Sequence, residues 1–471
     1  MEPKKSNENQ FEALEERPEG RRPRPLLLAA IGLVSAAAIL AILGGRLPVN
    51  SLVPPPVPPT AAIARTPVTG QIQEAPAGSP VVGALVRGGQ REAVSDPEGR
   101  FDLGLLPIGT TLTVKAPGFR KVRLAASDGR PIQIRLNPFV TKGVYLTFYG
   151  IGDREIRSRT LSLLERTELN AVVIDVKGDR GMIPYPTRVP LALEAGANRV
   201  ITVKNMEELM ASFKARGIYT IARIDVFKDT VLANYKPEWA VRDTRTGRPW
   251  TDNERLAWVD PFREETWEYT LAIAKEAADH GFDEIQFDYI RFPTDGTISA
   301  THYSRENNET NRVAAVEGFL RRAREVLGPT GVFLASDLFG YVAFNENDTK
   351  IGQRIDMVSR YVDYISPMAY PSGYHLGIPG YRYSIAHPYP IVYQTITRTL
   401  ERLERRTVRV RPWIQDFRDY AFDRRQYGPQ EIRLQMKAAL DAGAQGWMIW
   451  NPKNQYTAEA LVPKGADVAS R

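Results

Sequence analysis

The chain has 471 residues, of which 43% are hydrophobic and 9% aromatic, so it is long enough for two or three folded domains and is not a disordered protein. It has no cysteine, which excludes disulfides, a thiolate nucleophile and thiolate metal sites. Much of the net charge of +7 lies in short arginine clusters without interleaved aromatic residues, and the four histidines lack the spacing of a zinc site. We therefore expect neither a nucleic-acid partner nor a metal or other cofactor.

The first recognisable segment covers residues 26–45, about 20 apolar or small residues without a charge. This is the length that a helix needs to cross a bilayer. Arginines precede the segment, which predicts that residues 1–25 form a cytoplasmic tail. The apolar run is long for a cleaved signal peptide, so we expect an uncleaved signal anchor. The chain would then cross the cell membrane once, with all later residues on the extracytoplasmic side.

A spacer and a small all-β domain are predicted next. Residues 46–67 include the run VPPPVPP, which favours a semi-rigid polyproline II spacer. In residues 68–137, short runs of β-favouring residues alternate with Gly, Pro, Asp and Ser turns. The stretches SDPEGRF at 95–101, LPIG at 106–109 and APGF at 116–119 resemble the carboxypeptidase-regulatory-like β-sandwich. This resemblance implies a spacer or accessory adhesion domain with a structural role.

The largest predicted domain, residues 138–460, alternates apolar runs with amphipathic helical segments and is followed by a C-terminal tail, residues 461–471. The runs predicted as strands are 144–149, 171–176, 219–226, 284–292, 332–339, 364–370, 410–417 and 446–450. Strands separated by helices predict an α/β fold with a parallel sheet, and eight such strands are the number in a (β/α)8 TIM barrel. A doubly wound open sheet is the alternative. It is disfavoured because the chain has no G-x-G-x-x-G fingerprint and because the runs end in polar residues.

Aspartates end several of the predicted strands, and a barrel carries its active site at these C-terminal strand ends. Glycosidic cleavage needs two carboxyl groups that flank the bond, and Asp288 and Asp337 follow neighbouring strands at inward-facing positions. Because neighbouring strands lie about 4.8 Å apart, we predict a retaining mechanism, with Asp288 as nucleophile and Asp337 as acid/base. The structural alternative is that Asp288 forms an ion pair with Arg291 or Arg223 and that Asp337 caps the following loop.

Other residues near the strand ends are predicted to bind the sugar. Pyranose rings place their C–H faces on aromatic rings, and their hydroxyls need fixed polar partners. The predicted substrate-binding residues are Asp175, Lys177, Arg223, Asp225, Arg291, Tyr370, Gln415, Asp416, Trp450 and Asn451.

Five stretches of this region resemble an uncharacterised bacterial (β/α)8 family that is placed among the glycoside hydrolases. They are GVYLT at 143–147, VIDVKGDRG at 173–181, QFDYIRFP at 286–293, SPMAYP at 366–371 and GWMIWN at 446–451. The resemblance implies a barrel fold and hydrolysis of glycosidic bonds, without specifying the sugar.

The chain is also distantly similar to the family-18 chitinases, but it departs from their pattern at the catalytic positions. Those enzymes carry D-x-x-D-x-D-x-E on strand 4, ending in the acid, and Met-x-Tyr-Asp on strand 6. Here Ile290 stands at the acid position and Pro371 follows Tyr370. Substrate-assisted chitinase chemistry is therefore not expected, and the proton donor is sought at Asp337 on the fifth strand.

The sequence thus predicts a membrane-anchored glycosidase that acts on an extracytoplasmic polysaccharide. A carbohydrate-binding pseudo-enzyme of the cell envelope is the main alternative, favoured by the missing strand-4 glutamate. A third interpretation is an envelope scaffold that binds no sugar. A metal-dependent deacetylase fits less well, because no two-histidine-plus-aspartate arrangement is visible.

Overall fold

A computed structural model of the chain describes residues 64–126 and 129–465. The predicted tail, the predicted anchor at 26–45 and most of the predicted spacer lie outside the described residues, as do residues 466–471. Among the residues that are described, no helix is long and apolar enough to cross a membrane. The anchor therefore stays a prediction.

The β-module, defined as residues 65–136, consists of a three-stranded and a four-stranded sheet. Its strands are β1 (Arg65–Glu74), β2 (Leu85–Gly88), β3 (Arg91–Val94), β4 (Arg100–Pro107), β5 (Thr111–Lys115), β6 (Val122–Ala125) and β7 (Ile132–Leu136). The sheet orders are β4-β1-β7 and β3-β2-β5-β6. Alternate side chains along β1 are buried, because successive residues of a strand face opposite sides. Val68, Ile72, Phe101 and Leu112 share one hydrophobic core.

The rest of the described chain is built on a curled sheet of nine parallel segments. These are β8 (Thr141–Leu146), β9 (Ala171–Lys177), β10 (Tyr219–Asp225), β12 (Glu284–Asp288), β14 (Phe333–Leu338), β15 (Tyr364–Pro367), β16 (Arg409–Val410), β17 (Trp413–Gln415) and β18 (Gly446–Trp450). The order is β16-β15-β14-β12-β10-β9-β8-β18-β17. A separate antiparallel pair, β11 (Arg242–Asp243) and β13 (Thr301–His302), joins two loops.

The seventh predicted run, 410–417, differs from the prediction because it is divided into β16 and β17. Pro412 lies between them and has no backbone N–H to donate to a ladder. A single bridge between Met368 and Trp413 continues the pairing of β15 across this break, while β17 pairs with β18 on its other side. The curled sheet is therefore consistent with a TIM-type barrel of eight strands, one of them interrupted.

Helices separate the parallel segments. They are α1 (Phe148–Gly152), α2 (Arg154–Arg166), α3 (Pro190–Ala195), α4 (Met206–Ala215), α5 (Thr230–Tyr235), α6 (Glu264–Asp279), α7 (Glu309–Leu327), α8 (Ile355–Ser359), α9 (Pro388–Glu401) and α10 (Pro429–Asp441). Side-chain caps define several starts: Asp153 accepts from the N–H of Ile156 at 2.8 Å, and Asn308 accepts from the N–H of Asn311 at 2.9 Å. Their apolar faces, such as Phe319 of α7, pack on the outside of the sheet.

The β-module covers the N-terminal end of the barrel strands. Lys115 forms a buried ion pair with Asp363 at 2.8 Å and donates to the carbonyl of Val332. The N–H of Gly118 donates to the hydroxyl of Tyr364 at 2.9 Å. These contacts close one end of the barrel, so the opposite end, where the strands finish, is the end left for a site.

Candidate active site

Three aspartates form a row across neighbouring strands at the C-terminal end of the sheet, here called the acid row: Asp225, Asp288 and Asp337. Asp225 of β10 pairs in register with Asp288 of β12. Phe287 pairs with Ser336 of β14, so Asp288 and Asp337 occupy the next step of the same register. The register is fixed by the apolar residues that precede each aspartate, because a one-residue shift would turn them away from the core.

Arg223 of β10 joins the acid row to a fourth aspartate, Asp175 of β9. Its Nη1 donates to Asp175 at 2.8 Å, and its Nη2 lies 3.0 Å from Asp225 and 2.5 Å from Asp288. Its Nε donates to Asp288 at 3.0 Å. Burial would lower the pKa of the guanidinium, but the surrounding carboxylates raise it well above its usual value. Arg223 is therefore a permanent buried cation.

Asp288 lies in an environment that stabilises a carboxylate. Its side chain is only 3% exposed. Besides two donors from Arg223, it accepts a hydrogen bond from the backbone N–H of Tyr289 at 2.6 Å. Tyr289 adopts a left-handed φ of 47°, which is costly for a tyrosine and aims this N–H at the carboxylate. The ion pair with Arg223 that the structural alternative predicted is thus present.

Asp337 lies in an environment that favours the protonated acid. It is 1% exposed, and its Oδ1 accepts from Gln286 Nε2 at 2.7 Å and Trp413 Nε1 at 2.9 Å. Within the described part of the chain, its Oδ2 has no hydrogen-bond partner. Burial and the nearby charge of Asp288 raise the pKa of the Asp337 carboxyl well above its usual value. The two adjacent carboxyl groups thereby lie in different environments, one ion-paired to Arg223 and one hydrogen-bonded by neutral donors.

The other two aspartates are also poised to hold protons. Asp225 is fully buried, and neither of its oxygens accepts a hydrogen bond from any described residue. Burial raises its pKa well above the usual value, Arg223 opposes that rise, and Asp288 adds to it. Asp175 accepts from the Tyr145 hydroxyl and from Arg223, and burial raises its pKa as well. One buried arginine cannot neutralise four ionised carboxylates, so protonation of some is expected.

Aromatic rings and an open cleft adjoin these carboxyls. Trp450 of β18 stacks on Tyr145 of β8 with ring centroids 3.9 Å apart and 14° between the planes. The guanidinium of Arg223 lies 5.1 Å from the Trp450 ring. A cleft of about 250 Å³ is lined by these two rings together with Asp175 and the rings that follow β8.

Some predicted binding residues hold the scaffold instead of facing the cleft. Lys177 is buried in an ion pair with Asp229 at 2.7 Å. Gln415 bonds to Ser372, both through its side-chain oxygen and through its amide. Asp416 accepts from the N–H and hydroxyl of Thr457, each at 2.8 Å. Burial also raises the pKa of Asp416.

The remaining predicted residues vary in position. Asn451 donates to the carbonyls of Asp416 and Gln455, which ties together the loops after β17 and β18. Arg291 is half-buried, with its guanidinium 4.8 Å from the ring of Tyr289. Tyr370 is half-buried, and its pKa is raised by burial and by the charges of Asp337 and Asp288. The structure thus brings Asp175, Arg223, Asp225, Tyr370 and Trp450 close to the two candidate catalytic residues.

Three residues of the site were not predicted as such: Tyr145, Gln286 and Trp413. Each contacts a carboxyl of the cluster by a hydrogen bond. All three occupy inward-facing positions of parallel strands, and this alternation was the available signal. Which carboxyl each one bonds depends on the register between strands, which the sequence pattern does not specify. Within residues 64–126 and 129–465, no group of three or more His, Asp or Glu side chains is arranged to hold a metal ion.

The family described as "Putative glycosyl hydrolase domain" matches residues 143–456, two thirds of the chain and nearly the whole sheet. The chain belongs to this family. No curated protein matches the chain. The match begins in β8, so it does not reach the β-module, and the carboxypeptidase-regulatory-like resemblance stays a prediction.

Several solved structures are similar to parts of the chain. A hypothetical protein from Ruminiclostridium thermocellum is 38% identical, covering 41% of this chain and 96% of its own, with a TM-score of 0.36. The PgaB (BpsB) glycoside hydrolase domain from Bordetella bronchiseptica is 15% identical over 69% of this chain and 99% of its own, with a TM-score of 0.49. The α-galactosidase TtGalA from Thermus thermophilus is 16% identical over 78% and 73%, with a TM-score of 0.40. The family match assigns the family, and the order of the parallel strands indicates the barrel.

Proposed function

We propose that the barrel of this glycosyl hydrolase family member is a retaining glycosidase, with Asp288 as nucleophile and Asp337 as general acid/base. One observation carries the proposal: two carboxyls on adjacent strands are held in opposite environments, one ion-paired to Arg223 and one buried with an unpartnered oxygen. Adjacent strands lie about 4.8 Å apart, close to the roughly 5–5.5 Å that separates the carboxyls of retaining glycosidases.

The reaction then follows two steps. Asp337 gives its proton to the glycosidic oxygen as the bond to the anomeric carbon breaks, and the Asp288 carboxylate attacks that carbon to form a glycosyl ester. The ionised Asp337 next takes a proton from water, which attacks the anomeric carbon and releases Asp288. The raised pKa of Asp337 suits both donation and removal of the proton, since an acid/base catalyst works best with a pKa near the working pH.

Arg223 positions the nucleophile and does not itself face the sugar. Its donors are occupied by Asp175 and Asp288, and the side chain is nearly fully buried. When Asp288 becomes an ester and loses its charge, Asp337 has given up its proton and carries a charge instead, so the net charge around Arg223 is unchanged. The charge of the cluster is therefore balanced in both steps.

We propose an extracytoplasmic polysaccharide as the substrate. Residues 26–45 would anchor the chain in the membrane, and residues 46–67 would hold the barrel away from it. The β-module would act as a structural spacer. In spheroplasts of a bacterial host with an intact plasma membrane, added protease should then digest the barrel. Resistance to protease until the membrane is lysed would contradict this orientation.

The direct test is release of new reducing ends from a panel of cell-wall and exopolysaccharide glycans by the full chain. Asp337→Asn should slow release by about 10²–10⁴-fold, the usual contribution of a general acid, and Asp288→Asn by at least as much. Asp441→Asn is the matched control, because Asp441 is a carboxylate on the outer helix α10, paired with Lys437. Full activity in both site variants, with their melting temperatures unchanged, would refute the assignment.

A second candidate function is carbohydrate binding without cleavage. It is favoured by the near-complete burial of both carboxyls, while the cleft opens over Asp175 and Trp450. In this case a glycan of the panel would raise the melting temperature of the wild-type protein and release no reducing ends.

A further inference from the structure

An arc of aromatic rings lies at the ends of four segments of the sheet. Three of them, β8, β18 and β17, are neighbours in the strand order, and the bridge between Met368 and Trp413 joins β17 to the fourth, β15. This aromatic arc is defined as Tyr370, Phe417, Tyr420, Trp450 and Tyr149. The acid row and Asp175 follow the other consecutive segments, β9, β10, β12 and β14. Because the sheet is curled, aromatic and acidic residues occupy opposite halves of the same strand-end face.

Phe417 and Tyr420 of the arc lie in the loop after β17. Their rings lie parallel, with centroids 6.1 Å apart and 9° between the planes. Phe417 also packs edge-on against Tyr370, at 5.4 Å. Tyr420 is 53% exposed, so one face of the stack remains open to solvent.

Tyr149 forms the β8 end of the arc, at the start of α1. Its ring packs edge-on against Phe148 at 5.0 Å and is 61% exposed. Tyr149 lines the same cleft as Asp175, Asp179 and Trp450. An exposed ring beside carboxylate and hydroxyl groups matches what a sugar ring needs from a protein surface.

Two half-buried rings of the arc lie beside the candidate catalytic residues. Trp450 lies over Arg223, the residue that holds Asp288. Tyr370 packs on the aromatic cluster that contains Trp413, the donor to Asp337. In strand order the two exposed rings, Tyr420 after β17 and Tyr149 after β8, therefore lie on either side of Trp450 at the end of β18.

We propose that the aromatic arc binds an extended glycan chain, with sugar units on both sides of the acid row, so that cleavage occurs within the chain and not at its ends. Cleavage within the chain rests on the proposed hydrolase function, whereas binding of the glycan to the arc does not. Loop packing alone would bury these rings, whereas Tyr149 and Tyr420 expose more than half of their surface. A single-sugar pocket would need no ring at Tyr420 or Tyr149.

The test uses the full chain carrying Asp288→Asn, so that binding is separated from cleavage. Its mobility is measured in native gels that contain hydroxyethylcellulose, soluble mixed-linkage β-glucan, glycol chitosan or alginate. At least one polymer should retard the protein, and Tyr149→Ala and Tyr420→Ala should each weaken that retardation by about fivefold to tenfold, as loss of one stacked ring does. Tyr393→Ala is the control, because Tyr393 is an exposed ring stacked on Tyr389 of the outer helix α9.

Two outcomes would overturn the binding proposal: no polymer retards the protein, or the two arc variants bind as the control does. A short oligosaccharide that competes as well as the polymer, unit for unit, would also contradict it. If the wild-type protein cuts the polymer that retards it, cleavage within the chain should lower the viscosity of the polymer solution well before reducing ends accumulate. Retention without any cleavage would leave the arc established and refute only the hydrolase.

Discussion

Arg223 is the residue on which the proposed chemistry depends, because it makes two adjacent carboxyls different. Asp288 receives three donors, two of them from Arg223, whereas the donors to Asp337 among the described residues are the neutral groups of Gln286 and Trp413. Apolar burial without a countercharge favours the neutral acid, and an ion pair favours the carboxylate. The same fold position on neighbouring strands can in this way supply both an acid and a nucleophile.

Asp225 should reveal this charge distribution through the pH dependence of stability. Its folded pKa is raised, so its stabilising contribution is fully present below the unfolded pKa of about 4 and is lost as pH rises through the folded value. Over that window each such group lowers the free energy of unfolding by about 1.4 kcal/mol per pH unit. In Asp225→Asn the free energy of unfolding should therefore decline less steeply with pH than in the wild-type protein, as measured by urea unfolding between pH 4 and 8.

The exposed Asp441→Asn variant should leave that decline intact. If Asp225→Asn has the wild-type slope as well, Asp225 is ionised in the folded protein, and the proton distribution assigned to the cluster is wrong.

The strands show which parts of the structure a sequence pattern can predict. Apolar runs between helices predicted the parallel sheet, and the run 171–176 agrees closely with β9. The run 284–292 is too long, because the left-handed backbone of Tyr289 ends β12 at Asp288. Alternation along strands pointed to Asp288 and Asp337, but the bonds of Arg223 depend on register and side-chain reach. No local pattern contains that information.

Gly446 at the start of β18 provides a test of close packing between segments. Its φ is 95°, and a Cβ there would overlap the backbone carbonyl of Thr141 in β8. Gly446→Ala must therefore both strain its backbone and separate β18 from β8, and we expect a loss of roughly 3 kcal/mol or more in urea unfolding.

Gly217→Ala is the matched control, because Gly217 has a φ of 68° but open space around its Cβ position. Gly217→Ala should lower the free energy of unfolding by only about 1–2 kcal/mol, the cost of a left-handed backbone at an alanine. Equal losses in the two variants would show that the contact with Thr141 is not tight.

At the scale of the whole molecule, the β-module and the barrel share a buried electrostatic contact. Lys115 of β5 reaches Asp363 at the foot of β15, where Arg324 and Arg405 also approach the same carboxylate. Burial would raise the pKa of Asp363, but Lys115 and Arg324 lower it well below its usual value. We therefore expect the β-module and the barrel to unfold together.

Lys115→Ala should test that coupling. It removes a buried cation from Asp363, which typically lowers the free energy of unfolding by about 3–5 kcal/mol. Calorimetry should then show a single unfolding transition at a lower temperature than in the wild-type protein. Lys437→Ala breaks an exposed pair on α10 and should cost about 0–1 kcal/mol. Two separate transitions in the wild-type protein would instead mean that the β-module is an independently folding attachment.

The nucleophile can be identified by azide rescue of Asp288→Ala on a glycan that the wild-type protein cleaves. Azide can enter the space left by the carboxylate and attack the anomeric carbon as the leaving sugar departs. With Asp288 as the nucleophile, we expect a glycosyl azide of inverted anomeric configuration, identified by NMR, and one of retained configuration from Asp337→Ala. Failure of azide to restore cleavage in Asp288→Ala, or a retained product from it, would contradict Asp288 as the nucleophile.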